Sequence, residues 1–237
     1  MTLHASNRGL NLLLGDNVVV GRKVTFGANV IVHDETVIGD GCFIQDNVVL
    51  GKVPSLSPSS TAKTDELPRL ELGDGCVVST GAVVYRGVRL GKGCIIGDLA
   101  GVRERSTLGE RVVVGRASCV ENDTTIGDFT KIQSNVYITA YVTIEDHVFI
   151  APCVQTTNDN FMGRTEKRHA LIKGPTIRRG ARIGGGAVLC PGIEIGEEAF
   201  IAAGAVVTKD APPRKVLMGV PARVVRDVYE DELLENQ

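Results

Sequence analysis

The 237-residue sequence contains no tryptophan, and aromatic residues make up only 4% of it. It has no apolar run near the ~18 residues that a membrane-spanning helix requires, and its polar start does not resemble a secretory signal peptide. None of the six cysteines forms a C-x-x-C pair, so the sequence offers no zinc or redox motif of that kind. These absences predict a soluble cytoplasmic protein without a metal or a membrane partner.

The charge is close to balanced, with 26 Lys and Arg residues against 28 Asp and Glu residues. No basic stripe with interleaved aromatic residues occurs, and such a stripe is the usual mark of nucleic-acid binding. Histidine is also scarce, since only His4, His33, His147 and His169 are present. We therefore expect no nucleic-acid partner and few candidates for a catalytic imidazole.

The main feature of the chain is a six-residue repeat. A Leu, Ile or Val recurs at every sixth position in three runs, and Phe26 is the single exception. The runs cover Leu14–Leu50, Leu72–Ile150 and Ile177–Val207. A six-residue period fits neither the turn of a helix, about 3.6 residues, nor the alternation of an ordinary strand. It is typical of very short strands that are separated by tight corners.

The slot four residues after the aliphatic one is small or β-branched, and Gly often follows the aliphatic residue itself. Gly tolerates the positive φ of a tight corner, and a small side chain lets neighbouring rungs approach each other. Cys42, Cys76 and Cys94 occupy the small slot. We interpret them as buried apolar residues rather than as metal ligands or disulfide partners.

Three short sides complete one coil of eighteen residues, and stacked coils rise by ~4.8 Å per rung. The sequence thus predicts an all-β solenoid, a parallel β-helix of about nine coils and on the order of 40 Å in height. One coil cannot bury its own apolar side, so we expect a single domain over residues 1–226. Residues 227–237 are expected to form a tail or a short helix.

The repeat is interrupted twice, at about residues 52–71 and 157–176, and a solenoid commonly carries its function on such excursions. The first excursion contains Pro54, Pro58 and Pro68 among serines. Two interpretations of it stay open, a flexible loop and a flap that lines a neighbouring cleft.

The second excursion begins with Thr157-Asn158-Asp159 and is rich in basic residues, among them Lys167 and Lys173. A basic loop over a cleft suits a phosphate-rich ligand. The alternative is a solvated loop, because an Asn-Asp pair also serves in plain turns.

Residues 14–226 resemble the hexapeptide-repeat acyltransferases, whose closing segment is matched by Met218–Arg223. The resemblance implies a left-handed β-helix, although the general rule for parallel crossovers predicts the opposite hand. It also implies acetyl-CoA as co-substrate and a homotrimer with active sites in the clefts between neighbouring prisms. The Thr-Asn-Asp run is similar to that of enzymes that acetylate nucleotide-linked aminosugars, notably 3-amino-3,6-dideoxyhexoses on dTDP.

The predicted site residues fall into two groups. The resemblance carries Asn158 and Asp159 over as active-site residues near the sugar amine, and the basic loop adds His169 as a further catalytic candidate. Substrate-binding candidates in the same loop are Phe161, Arg164 and Arg168.

Cofactor binding is assigned to the last coils, where Gly184–Gly186 and Ala202–Gly204 remove side chains from consecutive rungs. A thin ligand could lie there against the backbone, and in the family the pantetheine arm of coenzyme A runs along this strip. Basic residues that follow could meet its phosphates. The alternative is that the corners alone require these small residues. The candidates are Gly185, Ala203, Gly204, Lys209 and Arg223.

The histidines indicate whether the acceptor is a hydroxyl or an amine. A hydroxyl demands a positioned base, whereas an amine must only lose its ammonium proton before attack. Some aminosugar acetyltransferases of this fold place a catalytic His one coil before the Asn158 position, but this chain has Ala140 there. The sequence therefore predicts an acetyl-CoA-dependent N-acetyltransferase in which a neutral amine attacks directly.

Three other functions are alternatives for a prism of this kind. An O-acetyltransferase acting on a sugar or serine hydroxyl is the first alternative, and a non-catalytic β-helix scaffold is the second. A zinc carbonic anhydrase on the same prism needs two His five residues apart on one strand, and none of the four histidines has that spacing.

Overall fold

The computed structural model describes residues 2–57 and 64–237, so Pro58 of the first excursion lies outside the described residues. Short strands follow one another around a three-sided prism, and each strand pairs in parallel with the strand one coil later. The three sheets are named faces A, B and C, in the order in which the chain visits them. The predicted all-β parallel solenoid is confirmed.

Face A contains β1 (His4–Ser6), β2 (Leu12–Leu14), β5 (Ile31–Val32), β8 (Val49–Lys52), β11 (Val83–Tyr85), β14 (Gly101–Val102), β17 (Cys119–Val120), β20 (Tyr137–Ile138), β23 (Gln155–Thr156), β26 (Val188–Leu189) and β29 (Val206–Val207). Face B contains β3 (Val19–Val20), β6 (Val37–Ile38), β9 (Glu71–Leu72), β12 (Arg89–Leu90), β15 (Thr107–Leu108), β18 (Thr125–Ile126), β21 (Thr143–Ile144), β24 (Thr176–Ile177) and β27 (Glu194–Ile195). Face C contains β4 (Thr25–Phe26), β7 (Phe43–Ile44), β10 (Val77–Val78), β13 (Ile95–Ile96), β16 (Val113–Val114), β19 (Lys131–Ile132), β22 (Phe149–Ile150), β25 (Arg182–Ile183), β28 (Phe200–Ile201), β30 (Lys215–Met218) and β31 (Arg223–Asp227).

The aliphatic slot of the repeat forms the core. Ile44, Ile96, Ile132 and Ile150 are stacked on face C, and each is fully buried. Burying one such side chain contributes about 1.5–3 kcal/mol, and the column repeats this contact at every rung. The hexad pattern therefore determines both the strand positions and the core.

The small slot is buried as predicted. Cys42, Cys76 and Cys94 are at most 1% exposed, and each thiol donates to a backbone carbonyl in the next coil at 3.0–3.2 Å. All three cysteines are free. The hydrogen bond with Cys42 lowers the pKa of the Cys76 thiol, but the hydrogen bond with Cys94, followed by burial, outweighs it and raises this pKa to about 12. The thiol therefore stays protonated at neutral pH.

The number of rungs is higher than predicted. Faces A and C have eleven strands each and face B has nine among the described residues, against about nine coils expected. Three of the four additional strands come from the chain ends, which lie outside the hexad pattern, and the fourth is β23 at the start of the second excursion. The antiparallel strand β1 covers β2, and the antiparallel pair β30–β31 extends face C.

The C-terminal residues are docked rather than frayed. Beyond β31 the chain forms two 3₁₀ helices, Glu230–Glu232 and Leu234–Asn236. Between them Leu233 is only 2% exposed and packs in a small cluster with Val216 and Val228. The tail thus closes the end of face C. No helix in residues 2–57 and 64–237 is long and apolar enough to cross a membrane.

Candidate functional site

Both interruptions of the repeat leave the prism at one edge, the A–B corner, where the chain passes from a face A strand to the next face B strand. The first excursion connects β8 to β9, and the second connects β23 to β24. Pairing resumes in register after each, since Val37 pairs with Glu71 and Thr143 with Thr176. Four face A strands lie between β8 and β23, so the two roots are about 24 Å apart at ~4.8 Å per rung.

The root of the second excursion is marked by Thr156, a hydroxyl residue in the aliphatic column. Its side chain is 1% exposed. The hydroxyl accepts a hydrogen bond from the backbone N–H of Thr139 at 2.8 Å and donates one to the carbonyl of Tyr137 at 3.1 Å. A buried hydroxyl therefore holds the excursion to the coil below it. The repeat pattern could have signalled this residue as the one polar side chain in that run.

Asn158 lies two residues further along, on the A–B corner. Its side-chain amide donates to the backbone carbonyl of Ala140 at 3.2 Å, and its backbone carbonyl accepts a hydrogen bond from the backbone N–H of Lys173 at 3.0 Å. The second bond closes the base of the excursion. Ala140 lies one coil before Asn158, and its backbone carbonyl takes up the amide of Asn158.

Asp159 organises the loop that follows. One carboxylate oxygen accepts the N–H of Phe161 at 2.7 Å, and the other accepts the N–H of Gly163 and a guanidinium N–H of Arg168, both at 2.9 Å. The backbone N–H groups of Gly163 and Phe161, followed by Arg168, lower the pKa of the Asp159 carboxyl. Asp159 is therefore a weak base in this arrangement. Its predicted role at the sugar amine stays a prediction.

The remaining loop candidates are less buried. Lys167 lies over the ring of Phe161, with 5.4 Å between its ammonium nitrogen and the ring centroid. His169, in the 3₁₀ helix Glu166–Ala170, lies 3.7 Å from the carboxylate of Glu166. Arg164 is exposed on the same loop. The excursion thus presents cationic and aromatic groups to the outside, with only Arg168 drawn inward to Asp159.

The glycine-rich strip lies at a different edge, the C–A corner. Gly184–Gly186 joins β25 to β26, and Ala202–Gly204 joins β28 to β29 one coil later. A Cβ on Gly184 would lie 2.4 Å from the backbone nitrogen of Ala203, so packing alone requires that glycine. A Cβ on Gly186 or Gly204 would meet nothing within 4 Å. The strip is therefore open on its outer side at Gly186 and Gly204, and its role in binding the pantetheine arm stays a prediction.

Of the two basic cofactor candidates, Lys209 lies apart from this strip and Arg223 lies beside it, since the neighbouring Ala222 donates to the carbonyl of Val206. Lys209 follows β29 at the A–B corner, at the opposite end of face A from Gly204. Arg223 begins β31 on face C and donates to the carbonyl of Ala222 at 2.8 Å. The structure therefore places Lys209 on the side of Asn158 and not beside the glycine strip.

A single copy of the chain does not bring the predicted acceptor and cofactor residues together. Asn158 and Asp159 are at the A–B corner, whereas Gly185 and Ala203 are at the C–A corner. The width of face A, about five residues of extended chain or ~16 Å, separates the two edges.

A charged cluster on the A–B corner was not predicted from the sequence. Arg103 binds Glu104 with two hydrogen bonds at 2.9 and 3.0 Å and reaches Glu121 at 3.2 Å. Arg105 binds Asp123 with two bonds at 3.0 Å. Glu104 is only 1% exposed. These residues are at the corners after β14 and β17, between the two excursions, and the stacking of coils brings Arg103 to Glu121 and Arg105 to Asp123.

Arg86 anchors the first excursion beside a groove. It donates to the carbonyl of Leu67 at 2.9 Å and to that of Asp34 at 3.1 Å, and it also pairs with Glu35. The side chain thus fills the corner from which the chain has departed. Beside it lies a groove of about 710 Å³ that Glu35, Leu67 and Arg86 help to line. This groove lies several rungs away from Asn158 along the same corner.

No group of three His, Cys, Asp or Glu residues able to hold a metal ion occurs within 2–57 and 64–237.

The sequence matches the family described as bacterial transferase hexapeptide (six repeats) over residues 15–52, 123–158 and 174–209. It also matches the hexapeptide repeat of succinyl-transferase over residues 70–86. Together the matched segments cover more than half of the chain.

Galactoside O-acetyltransferase of Escherichia coli is 40% identical over 92 residues, which are 38% of this chain and 45% of that protein. Serine acetyltransferase of Buchnera aphidicola is 38% identical over 95 residues, 40% of this chain and 32% of that protein. The matches therefore span less than half the length of these two relatives.

Among solved structures, a hexapeptide-repeat acetyltransferase of Vibrio cholerae in complex with acetyl coenzyme A is 30% identical. The similarity covers 49% of this chain and 71% of that one, with a TM-score of 0.38. The hexad-built prism and the matches to the repeat families agree with each other. The chain belongs to the hexapeptide-repeat acyltransferase family.

Proposed function

We propose that the protein is an acetyl-CoA-dependent N-acetyltransferase that acetylates the amine of a nucleotide-linked aminosugar. The observation that carries the amine acceptor is the root of the second excursion. Asn158 hydrogen-bonds there to the carbonyl of Ala140. A hydroxyl acceptor would require a positioned base at this place, and neither Asn158 nor Ala140 can act as one. The cationic groups of the loop suit a nucleotide diphosphate, and the open Gly and Ala strip suits the pantetheine arm.

The reaction needs little from the protein beyond positioning. The neutral amine nitrogen forms a bond to the thioester carbonyl carbon, the carbon–sulfur bond breaks, and the departing thiolate takes up the proton that the nitrogen sheds. Asp159 stays ionised because of its lowered pKa, so its charge attracts and orients the incoming ammonium group. That group gives one proton to solvent water and becomes the neutral amine before it attacks. Asn158 would hydrogen-bond the sugar, and a backbone N–H would stabilise the developing oxyanion.

A homotrimer and a cytoplasmic location are part of this proposal. The separation of Asn158 from Gly185 by the width of face A supports a site that two neighbouring copies share. In a cyclic trimer the A–B corner of each copy can meet the C–A corner of the next, so three equivalent sites would form. Sedimentation of the purified chain tests the trimer directly.

The test of the activity is a thiol-release assay with acetyl-CoA against a panel of nucleotide-linked 3- and 4-aminosugars. We expect turnover with at least one of them and a large loss of kcat in Asn158→Ala and Asp159→Asn. Asn160→Ala, in the exposed neighbouring position, serves as the matched control. If Asn158→Ala and Asp159→Asn both kept wild-type turnover, the proposed roles would be wrong.

An O-acetyltransferase is the second candidate, because the two curated relatives named above are a galactoside O-acetyltransferase and a serine acetyltransferase. Galactoside and serine belong in the same panel. His169→Ala separates the candidates, since loss of a general base costs about 10²–10⁴-fold for a hydroxyl and little for an amine. Activity on a hydroxyl alone, abolished in His169→Ala, would replace the amine acceptor.

A further inference from the structure

Tyr141 occupies the left-handed position of the A–B corner. Its φ is +65°, and the equivalent positions one, two and three coils below, Asp123, Arg105 and Gly87, also have positive φ. The conformation therefore belongs to the corner of the repeat. Tyr141 differs from the positions below it because it lies beside the second excursion.

Tyr141 is also enclosed by the root of the second excursion. The residue before it accepts the amide hydrogen bond of Asn158. Where the excursion returns, a Cβ on Gly174 would lie 2.9 Å from the carbonyl carbon and oxygen of Tyr141. Both ends of the excursion therefore contact the backbone of this corner, yet the tyrosine remains 38% exposed.

The charged cluster of Arg103, Glu104, Arg105, Glu121 and Asp123 lies in the coils below Tyr141. The pKa of Arg105 is raised, mainly by its hydrogen bond to Asp123 and to a smaller extent by the charges of Asp123, Glu104 and Tyr141. The phenol is thus close enough to Arg105 to interact with it electrostatically. Tyr141 lies between this cluster and Asn158.

Three of the four tyrosines lie on face A or at its A–B corner. Tyr85 ends β11 and Tyr137 begins β20 on face A, and Tyr141 follows at the corner. The Tyr85 ring has Lys52 at 5.7 Å and Arg103 at 5.6 Å from its centroid. Aromatic rings beside arginines form a surface on which planar or partly apolar groups, such as a nucleobase or a pyranose ring, can pack.

We propose that Tyr141 is a substrate-contacting residue whose ring packs against the nucleotide-linked aminosugar, in a strip of the A–B corner that runs from Arg103 to Asn158. The inference rests on the proposed function and deepens it. The strip has the two excursions at its ends, so a ligand along it would have its amine near Asn158 and its remaining part over the charged cluster.

The test compares Tyr141→Asn with Phe129→Asn. Phe129 has φ +58° at the B–C corner and is 39% exposed, so it is the matched aromatic residue at another edge. Asn tolerates the left-handed conformation, and both variants should therefore fold. Tyr141→Phe is the second variant and keeps the ring.

We expect Tyr141→Asn to raise the KM for the acceptor by about tenfold or more, because one aromatic contact is lost. The Kd of the nucleotide-linked aminosugar, measured by calorimetry, should rise by the same factor. The KM for acetyl-CoA should stay within about twofold of wild type. Tyr141→Phe should stay close to wild type, and Phe129→Asn should change neither KM.

An unchanged acceptor KM in Tyr141→Asn, with an active wild type, overturns this inference and leaves the proposed function intact. Equal changes in the KM for acceptor and for acetyl-CoA also overturn it, because they indicate a general structural effect. A wild type that neither binds nor acetylates any nucleotide-linked aminosugar removes the acceptor class and this inference together.

Discussion

The two excursions leave the same corner of the prism but are held in opposite ways. In its described part the first is fixed by burial, since Leu67 is 8% and Leu70 0% exposed, and Arg86 occupies the vacated corner. The second has no buried side chain between Thr157 and Lys173 and is held by hydrogen bonds. Burial commits side chains to the fold, whereas the second arrangement leaves them available to a ligand.

The largest expected contrast concerns the leucines of the two segments. Leu70→Ala should lower the free energy of unfolding by about 2–5 kcal/mol, because it removes a fully buried side chain and leaves a cavity. Leu171→Ala, at a position that is 57% exposed, should change it by at most ~0.5 kcal/mol. Urea denaturation of both variants measures the difference, and equal losses would contradict the contrast.

The next contrast concerns the arginine that holds the first excursion. Arg86→Ala should cost about 2–3 kcal/mol of unfolding free energy, since the carbonyls of Leu67 and Asp34 and the carboxylate of Glu35 lose their donor. The control is Arg89→Ala, because the Arg89 side chain is 64% exposed and its guanidinium lies 3.8 Å from the carboxylate of Glu71. That exposed pair contributes about 0–1 kcal/mol. A smaller loss in Arg86→Ala than in Arg89→Ala would rule out the anchoring role.

In the second excursion the effect should be local. Arg168→Ala removes the 2.9 Å bond to Asp159 and should cost about 1 kcal/mol or less of global stability. The loop should nevertheless open more often, so limited proteolysis should cut within residues 160–172 faster than in wild type. Arg164→Ala, on the exposed side of the loop, is the control. Unchanged cleavage in Arg168→Ala would show that the pair does not hold the loop.

The smallest expected effect is a pH dependence confined to the second excursion. The pKa of Asp159 is lowered in the folded protein, so the unfolded loop binds more protons than the folded one in acid. The loop's stabilisation is complete above the ordinary carboxyl pKa of about 3.9 and is lost as the pH falls through the lowered value. Hydrogen exchange should show protection of residues 160–172 declining in that window, and Asp159→Asn should remove the dependence.

Much of the fold could be predicted from the sequence because the repeat is local. The aliphatic column, the buried cysteines and both interruptions follow from residues six positions apart, and each rung repeats the same burial. The extra strands at the chain ends could not be predicted this way. Strand β1 and the pair β30–β31 are antiparallel additions outside the hexad pattern.

The candidate site was predicted less completely. The sequence drew attention to Asn158, Asp159 and the glycine strip, but it gave no sign that Asp159 accepts three hydrogen bonds from its own loop. Tyr141 and Glu104 were not singled out, because the contacts of Tyr141 lie one coil away and the burial of Glu104 depends on the stacked coils. The motif that identifies Asn158 is only three residues long.

By itself, the sequence determined the three-sided column and the positions at which the chain leaves it, since an apolar residue every sixth position can be buried in few other ways. Only the tertiary structure decided that both excursions share the A–B corner while the glycine strip lies on the C–A corner. The reason is geometric: coil stacking converts distances of many residues into contacts between rungs, and the width of one face separates the two edges.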